Sequence, residues 1–179
     1  MTHFPEAERV LHKAVTVAAP AEDVWWAWTT DAGIRTWLLD DSRIELRVGG
    51  PYEWYFDDEA PPGQRGSEGC VILGIQAPTM LTFTWNAPPH LAEARAQRTV
   101  VLLRLRPDDH DETTLVELTQ LGWGDGGQWD EAYDYFDAAW GRVLERLRDR
   151  FAPAPPAAPA PSAPSAPSAP SAPSAPSAP

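Results

Sequence analysis

The sequence predicts an α+β domain in which a curved, seven-stranded antiparallel sheet wraps around one long C-terminal helix. Short segments between residues 42 and 121 alternate apolar and polar residues, with the two-residue period of half-buried strands. Residues 128–151 instead repeat apolar residues at spacings of three, four and seven, as in an amphipathic helix. Because each layer has one apolar face, we expect the helix to lie across the concave side of the sheet.

One strand and two short helices are predicted to come first. The strand is predicted at residues 10–18, where apolar and polar residues alternate. Pro20 suits the first helical position, and acidic residues follow it, so a helix is predicted at residues 21–29. A second helix is predicted at residues 31–38, with Asp31 as its N-cap.

An aromatic hairpin is predicted at residues 42–57. Gly49 and Gly50 can take the positive φ of a tight reversal, and Pro51 can open the returning strand. The first strand places three aliphatic residues on one face: Ile44, Leu46 and Val48. The returning strand places three rings on one face: Tyr52, Trp54 and Phe56.

The remaining strands are predicted at residues 66–75, 80–85, 97–106 and 113–121, with a proline-containing loop at residues 86–94. The last helix has acidic residues in its first turn and arginines in its last, which matches the helix dipole. Its apolar stripe is predicted to face the sheet and consists of Trp129, Tyr133, Phe136, Trp140, Val143, Leu144, Leu147 and Phe151.

Composition divides the 179 residues into a domain at residues 1–151 and a tail at residues 152–179. The tail contains only Pro, Ala and Ser, so we expect it to be disordered. The net charge of −12 argues against nucleic acid and anionic membranes as partners. The chain has one cysteine, Cys70, which excludes an internal disulfide and favours a reducing cytoplasm.

Four blocks of the sequence, taken in order, carry a family resemblance: AAPAEDVWWAWTTDAGIRTWL, RVGGPYEWYF, GSEGCVILGIQAPTMLTFTW and LTQLGWGDGGQWD. They resemble the START-like (SRPBCC, helix-grip) superfamily, in particular homologues of the C-terminal domain of the heat-shock protein 90 ATPase activator. The resemblance implies a helix-grip fold, with an apolar cavity between the sheet and the C-terminal helix. Members of the superfamily bind lipids, sterols, plant hormones or polyketides there, and some are cyclases.

Neither a metal, a cofactor nor a catalytic residue is predicted. The histidines lie too far apart in the sequence for a zinc-ligand pattern: His3, His12, His90 and His110. Cys70 lies within a predicted strand, where a free cysteine is usually a small buried hydrophobe. Many relatives hold histidine at the position of Gln120, so glutamine here weakens any role in proton transfer.

A ligand site is predicted on the concave side of the sheet, from eleven residues that are mainly aromatic or apolar. They are Tyr52, Trp54, Phe56, Phe83, Trp85, Val116, Leu118, Gln120, Tyr133, Phe136 and Trp140. The two tyrosines and the glutamine would supply polar contacts to a ligand. The same rings could instead fill the space completely, because each Trp buries roughly 150–250 Å². Both alternatives stay open at this point.

The leading hypothesis is a cytoplasmic domain that binds a small hydrophobic or aromatic molecule without catalysis. One alternative is a polyketide-cyclase-like or hydrolase-like enzyme, which a titratable group deep in the cavity would favour. The other is a chaperone-associated interaction module for a protein partner as yet unknown, which a contiguous exposed apolar patch would favour.

Overall fold

The computed structural model describes residues 8–153, so the predicted tail lies outside the described residues except for residues 152 and 153. The secondary structure follows the predicted order, with one additional short helix. In chain order the elements are β1 (Leu11–Val17), α1 (Ala21–Thr29), α2 (Asp31–Arg35), β2 (Asp41–Ile44), β3 (Tyr52–Tyr55), β4 (Ile72–Gln76), β5 (Met80–Trp85), α3 (Ala92–Ala96), β6 (Thr99–Pro107), β7 (Thr114–Leu121) and α4 (Gln128–Arg150).

The main sheet within residues 8–153 has five antiparallel strands in the order β1-β7-β6-β5-β4. Leu103 lies opposite Leu118 between β6 and β7, and Phe83 lies opposite Val101 between β5 and β6. All four side chains are buried, as the predicted alternation requires. The apolar face of the sheet therefore forms one wall of the core.

The prediction of a single seven-stranded sheet is corrected by the structure. Seven strands are present in the described residues, but β2 and β3 form a separate two-stranded sheet. Isolated bridges from Pro51 to Val71 and from Tyr55 to Gly66 join β3 to the segment before β4. That segment turns where the Cys70 N–H donates to the Ser67 carbonyl at 3.1 Å. The strand predicted from residue 66 therefore begins only at Ile72.

The first strand of the hairpin is also shorter than predicted. The Asp31 carboxylate accepts hydrogen bonds from the Ser42 hydroxyl at 2.7 Å and from the Ile44 N–H at 3.0 Å. After Ile44 the backbone leaves the ladder and forms a wide reversal, in which Gly49 has φ of 77°. Leu46 and Val48 consequently lie outside the strand and are 43% and 66% exposed.

The short helices differ from prediction in two places. Helix α2 ends at Arg35 instead of residue 38, although Leu38 still donates its N–H to the Ile34 carbonyl at 3.0 Å. Helix α3 occupies the end of the predicted loop at residues 86–94 and extends to Ala96. None of the helices in residues 8–153 is both long and apolar enough to span a lipid bilayer.

Helix α4 packs its apolar stripe against the sheet, as predicted. The Trp140 ring lies 5.3 Å from the ring of Trp85 on β5 and 6.1 Å from that of Trp54 on β3, measured between centroids. The helix thus touches both sheets. Its buried residues are Trp129, Ala132, Phe136, Trp140, Leu144 and Leu147.

A glycine substitution tests the close approach of β3 to the following segment. A Cβ atom on Gly66 would overlap the Trp54 carbonyl oxygen, whereas one on Gly141 in α4 would meet nothing within 4 Å. We expect Gly66→Ala to lower the free energy of unfolding by about 1–3 kcal/mol through overpacking. Gly141→Ala should raise it by about 0.5–1 kcal/mol, because alanine favours a helix interior. Urea denaturation measures both, and equal effects at the two positions would contradict the packing described.

Candidate ligand-binding cavity

A cavity of about 250 Å³ remains between the hairpin and helix α4. Loops at residues 64–67 and 86–89 close its sides, and the cavity opens to solvent beside Phe56 and Tyr135, which are 55% and 43% exposed. Its apolar wall consists of Trp54, Phe56, Trp85, Ala87, Pro88, Pro89, Phe136, Ala139, Trp140 and Val143. We call this space the grip cavity.

The aromatic rings fill most of the grip and leave the cavity at one end. The Trp54 centroid lies 5.1 Å from that of Trp85, and Phe136 stacks 6.3 Å from Trp140. On the other side, Trp54 packs 5.6 Å from Trp28 of α1. The sequence left open whether the rings fill the grip or line a cavity. Both occur in part, because some rings belong to the core and others form the cavity wall.

The structure brings five of the eleven predicted ligand residues to the grip cavity. They are Trp54, Phe56, Trp85, Phe136 and Trp140. The other six lie away from it, either in the core or beside the N-terminal segment. They are Tyr52, Phe83, Val116, Leu118, Gln120 and Tyr133.

Tyr52 uses its polar group within the core. Its hydroxyl donates a hydrogen bond to the Trp28 carbonyl at 2.8 Å, and its ring lies 4.3 Å from that of Phe83. Burial raises the pKa of Tyr52 well above its ordinary value, while the Trp54 side chain opposes the shift. The hydroxyl is therefore neutral, and its hydrogen bond to Trp28 joins β3 to α1.

Gln120 lies outside the cavity and hydrogen-bonds to Trp140 of the cavity wall. Its Nε2 donates to the Thr99 Oγ1 at 2.8 Å, and its Oε1 accepts from the Trp140 Nε1 at 2.7 Å. Val116 and Leu118 lie on the same buried face of β7. The amide thus fixes the orientation of an indole whose ring lines the cavity.

Tyr133 belongs to a contact with the N-terminal segment. Its hydroxyl donates to the Val10 carbonyl at 3.3 Å, and the Arg9 guanidinium lies 5.1 Å from its ring centroid. Arg9 also pairs with Asp130 at 2.7 Å. These contacts hold residues 8–10 against the start of α4, outside the cavity.

The polar end of the cavity was not predicted from the sequence. Arg95 of α3 donates from Nη1 to the Ala87 carbonyl, and from Nη2 to the carbonyls of Gly63 at 2.7 Å and Gly66 at 2.9 Å. Desolvation by burial lowers the pKa of the Arg95 guanidinium below its ordinary value, and the nearby Glu68 opposes this. One side chain therefore ties together two loops that close the cavity.

Glu68 stabilises the same loop from the other side. Its carboxylate accepts hydrogen bonds from the backbone N–H groups of Gly63 at 2.6 Å, Arg65 at 2.8 Å and Gly66 at 3.1 Å. Its Oε2 lies 3.8 Å from the Arg95 Nη2. The loop at residues 63–66 is thus fixed by a carboxylate and a guanidinium that are distant in sequence.

Cys70 is buried and lies outside the cavity lining. Burial raises the pKa of its thiol to about 11, so the thiol is protonated at neutral pH. Within residues 8–153, no group of three or more His, Cys, Asp or Glu side chains is arranged to hold a metal ion.

The fold and the position of the cavity define a helix-grip domain of the START-like superfamily. More specifically, the chain belongs to the family described as Activator of Hsp90 ATPase homolog 1-like protein, whose sequence profile matches residues 18–152. A search of the curated proteins found no significant match.

Solved structures from several bacteria share the fold. Protein MLL2253 from Mesorhizobium loti is 22% identical, with a TM-score of 0.62 over 79% of this chain and 96% of that chain. The Aha1 dimer from Colwellia psychrerythraea is 17% identical, with a TM-score of 0.60 over 80% and 96%. CalU16 from Micromonospora echinospora is 23% identical, with a TM-score of 0.58 over 82% and 78%. At these identities the likeness concerns the fold.

Replacing Gln120 tests its part in the cavity wall. Gln120→Leu keeps a similar volume but leaves the Trp140 Nε1 without this partner, whereas the Thr99 hydroxyl still donates to the Trp85 carbonyl at 3.2 Å. We expect a loss of about 1–3 kcal/mol in the free energy of unfolding, because one buried indole N–H is left unsatisfied. Gln76→Leu on the exposed side of β4 is the control and should change stability by less than about 0.5 kcal/mol. A Gln120→Leu protein as stable as the wild type in urea would refute the bridging role.

Proposed function

We propose that this helix-grip domain binds a small hydrophobic or aromatic molecule in the grip cavity and performs no covalent chemistry on it. The observation that carries the proposal is a cavity of about 250 Å³ lined by six aromatic rings, five on strands β3 and β5 and helix α4 and one, Phe56, on a loop. Ligand pockets are typically concave, mainly apolar and equipped with a few polar groups. The volume lies just below the roughly 300–1,000 Å³ of pockets for drug-sized molecules, so it suits a compact ligand.

The polar groups of the cavity support binding more than catalysis. The charged side chains that line it are Asp57, Arg65 and Arg95, and Tyr135 lies beside them. Asp57 is exposed at the mouth of the cavity. The Glu68 carboxylate, which lies beside Arg95, already accepts hydrogen bonds from backbone N–H groups. A general acid or base is usually a titratable group enclosed in an apolar site.

The rigidity of the wall also supports a binding role. Trp140 is fixed by Gln120, and the loop at residues 63–66 is fixed by Glu68 and Arg95. A cavity whose walls are already ordered costs little conformational entropy when a ligand enters. Such a preformed site is what a receptor or carrier of a small molecule needs.

We also propose that the domain acts in the cytoplasm. The chain has one cysteine, and its thiol is buried and protonated, so disulfide formation contributes nothing to the fold. This cysteine usage is typical of reducing compartments.

Filling the cavity from helix α4 tests the proposal. Ala139 lines the cavity, while its neighbour Ala138 is exposed. The wild-type protein is first titrated with a panel of lipids and aromatic metabolites, and binding is monitored by the change in tryptophan fluorescence. For any compound that binds, we expect Ala139→Phe to weaken the affinity at least roughly tenfold, about 1.4 kcal/mol, because the new ring occupies the ligand volume. Ala138→Phe adds the same ring outside the cavity and should bind like the wild type.

Two results would reject the proposal. One is unchanged binding in Ala139→Phe, provided that its thermal unfolding matches that of Ala138→Phe. The other is the absence of any bound compound in the panel, together with native mass spectra that show no ligand purified with the protein.

A further inference from the structure

Three arginines gather around the polar end of the grip cavity. Arg65 and Arg95 line the cavity itself, and Arg95 and Arg98 line an adjoining, more polar cavity of about 740 Å³. The two cavities share Gln64, Asn86, Pro89 and Arg95 along their common border. The chain has only 14 basic residues against 26 acidic ones, so three guanidinium groups at one site form a local exception to its charge.

These guanidinium groups are held mainly by neutral carbonyl oxygens. Arg65 donates from Nε to the Ala60 carbonyl at 3.2 Å, and Arg98 donates from Nη1 to the Arg95 carbonyl at 2.9 Å. Arg95 donates to the carbonyls of Ala87, Gly63 and Gly66. A carbonyl accepts a hydrogen bond without neutralising the positive charge, so these bonds leave the guanidinium charges in place. Arg95 additionally lies 3.8 Å from the Glu68 carboxylate.

The carboxylates at the two cavities leave one positive charge uncompensated. Those that line them are Asp57 at the mouth and Glu68 beside Arg95. Three guanidinium groups less two carboxylates give a formal charge of +1 at this end. In the described part of the chain, the Arg65 Nη1 and Nη2 atoms and the Arg95 Nε atom make no hydrogen bond. A single anionic group would match both the charge and the donors.

We propose that the ligand of the grip cavity is an amphipathic carboxylate, with an apolar or aromatic body and one carboxylate group. This inference rests on the proposed function and specifies its ligand class. The body packs against the rings of Trp85, Phe136 and Trp140, and the carboxylate faces Arg65 and Arg95. The planar fork of a guanidinium matches a carboxylate in geometry as well as charge. Partial burial strengthens the attraction, because the effective dielectric constant is lower than in water.

A matched pair of compounds tests the inference on the full-length chain. 1-Naphthylacetate and 1-naphthylacetamide share the same ring system and differ in charge at one end. We expect isothermal titration calorimetry at neutral pH and low salt to give at least roughly tenfold tighter binding of the carboxylate. The preference should shrink as salt is raised, because screening weakens a partly exposed ion pair.

Arginine variants locate the origin of the preference. Arg65→Gln removes a guanidinium that is hydrogen-bonded to one loop carbonyl, so the fold should tolerate the change. We expect it to reduce the preference for the carboxylate to less than roughly threefold while binding of the amide is retained. Arg104→Gln removes the same charge from an exposed position on β6 outside the cavities and should keep the wild-type preference. Arg95→Gln is a secondary variant, because Arg95 also ties the loops together.

Equal affinity of the wild type for the two compounds would overturn the inference and leave the proposed function standing, since the amide would still occupy the cavity. An equal loss of preference in Arg65→Gln and Arg104→Gln would also overturn it, because the effect would then reflect overall charge. If neither compound binds, the inference fails, and the ligand panel with Ala139→Phe decides the proposed function separately.

Discussion

The structure depends most on the packing of the Trp54 indole at the centre of the grip. Its ring contacts helix α1 through Trp28, strand β5 through Trp85 and helix α4 through Trp140, with centroid separations of 5.1–6.1 Å. One fully buried side chain on the small sheet therefore links the main sheet, an N-terminal helix and the C-terminal helix. Aromatic pairs of this kind contribute about 0.5–1.5 kcal/mol each beyond their buried area.

The position of Trp54 also decides where space remains. Its ring and those of Tyr52 and Phe83 close the middle of the grip, so the cavity lies near the end of β3, beside Phe56. Polar contacts then fix the boundary of that space, from Gln120 behind Trp140 and from Arg95 across the loops. The core and the grip cavity are consequently parts of a single aromatic layer. In the core a further ring lies opposite each aromatic side chain, and in the cavity a void lies opposite.

Local patterns in the sequence predicted the elements with strong periodicity. Leu81, Phe83 and Trp85 alternate inward on β5, and the apolar stripe of α4 faces the core. The exposure of Leu46 was missed because the strand ends where Asp31, a residue distant in sequence, binds Ile44. Arg95 was missed for a similar reason: its partners at Gly63 and Gly66 lie about thirty residues earlier, so no local pattern reveals the polar end of the cavity.

A crystal structure of the protein soaked with 1-naphthylacetate would test most directly whether the grip cavity holds a ligand. We expect the naphthyl ring to lie between Trp85, Phe136 and Trp140, with a carboxylate oxygen within about 3.2 Å of a guanidinium nitrogen of Arg65 or Arg95. A naphthyl ring bound outside the grip, or a cavity closed by its own side chains, would contradict the claim that this space is a ligand site.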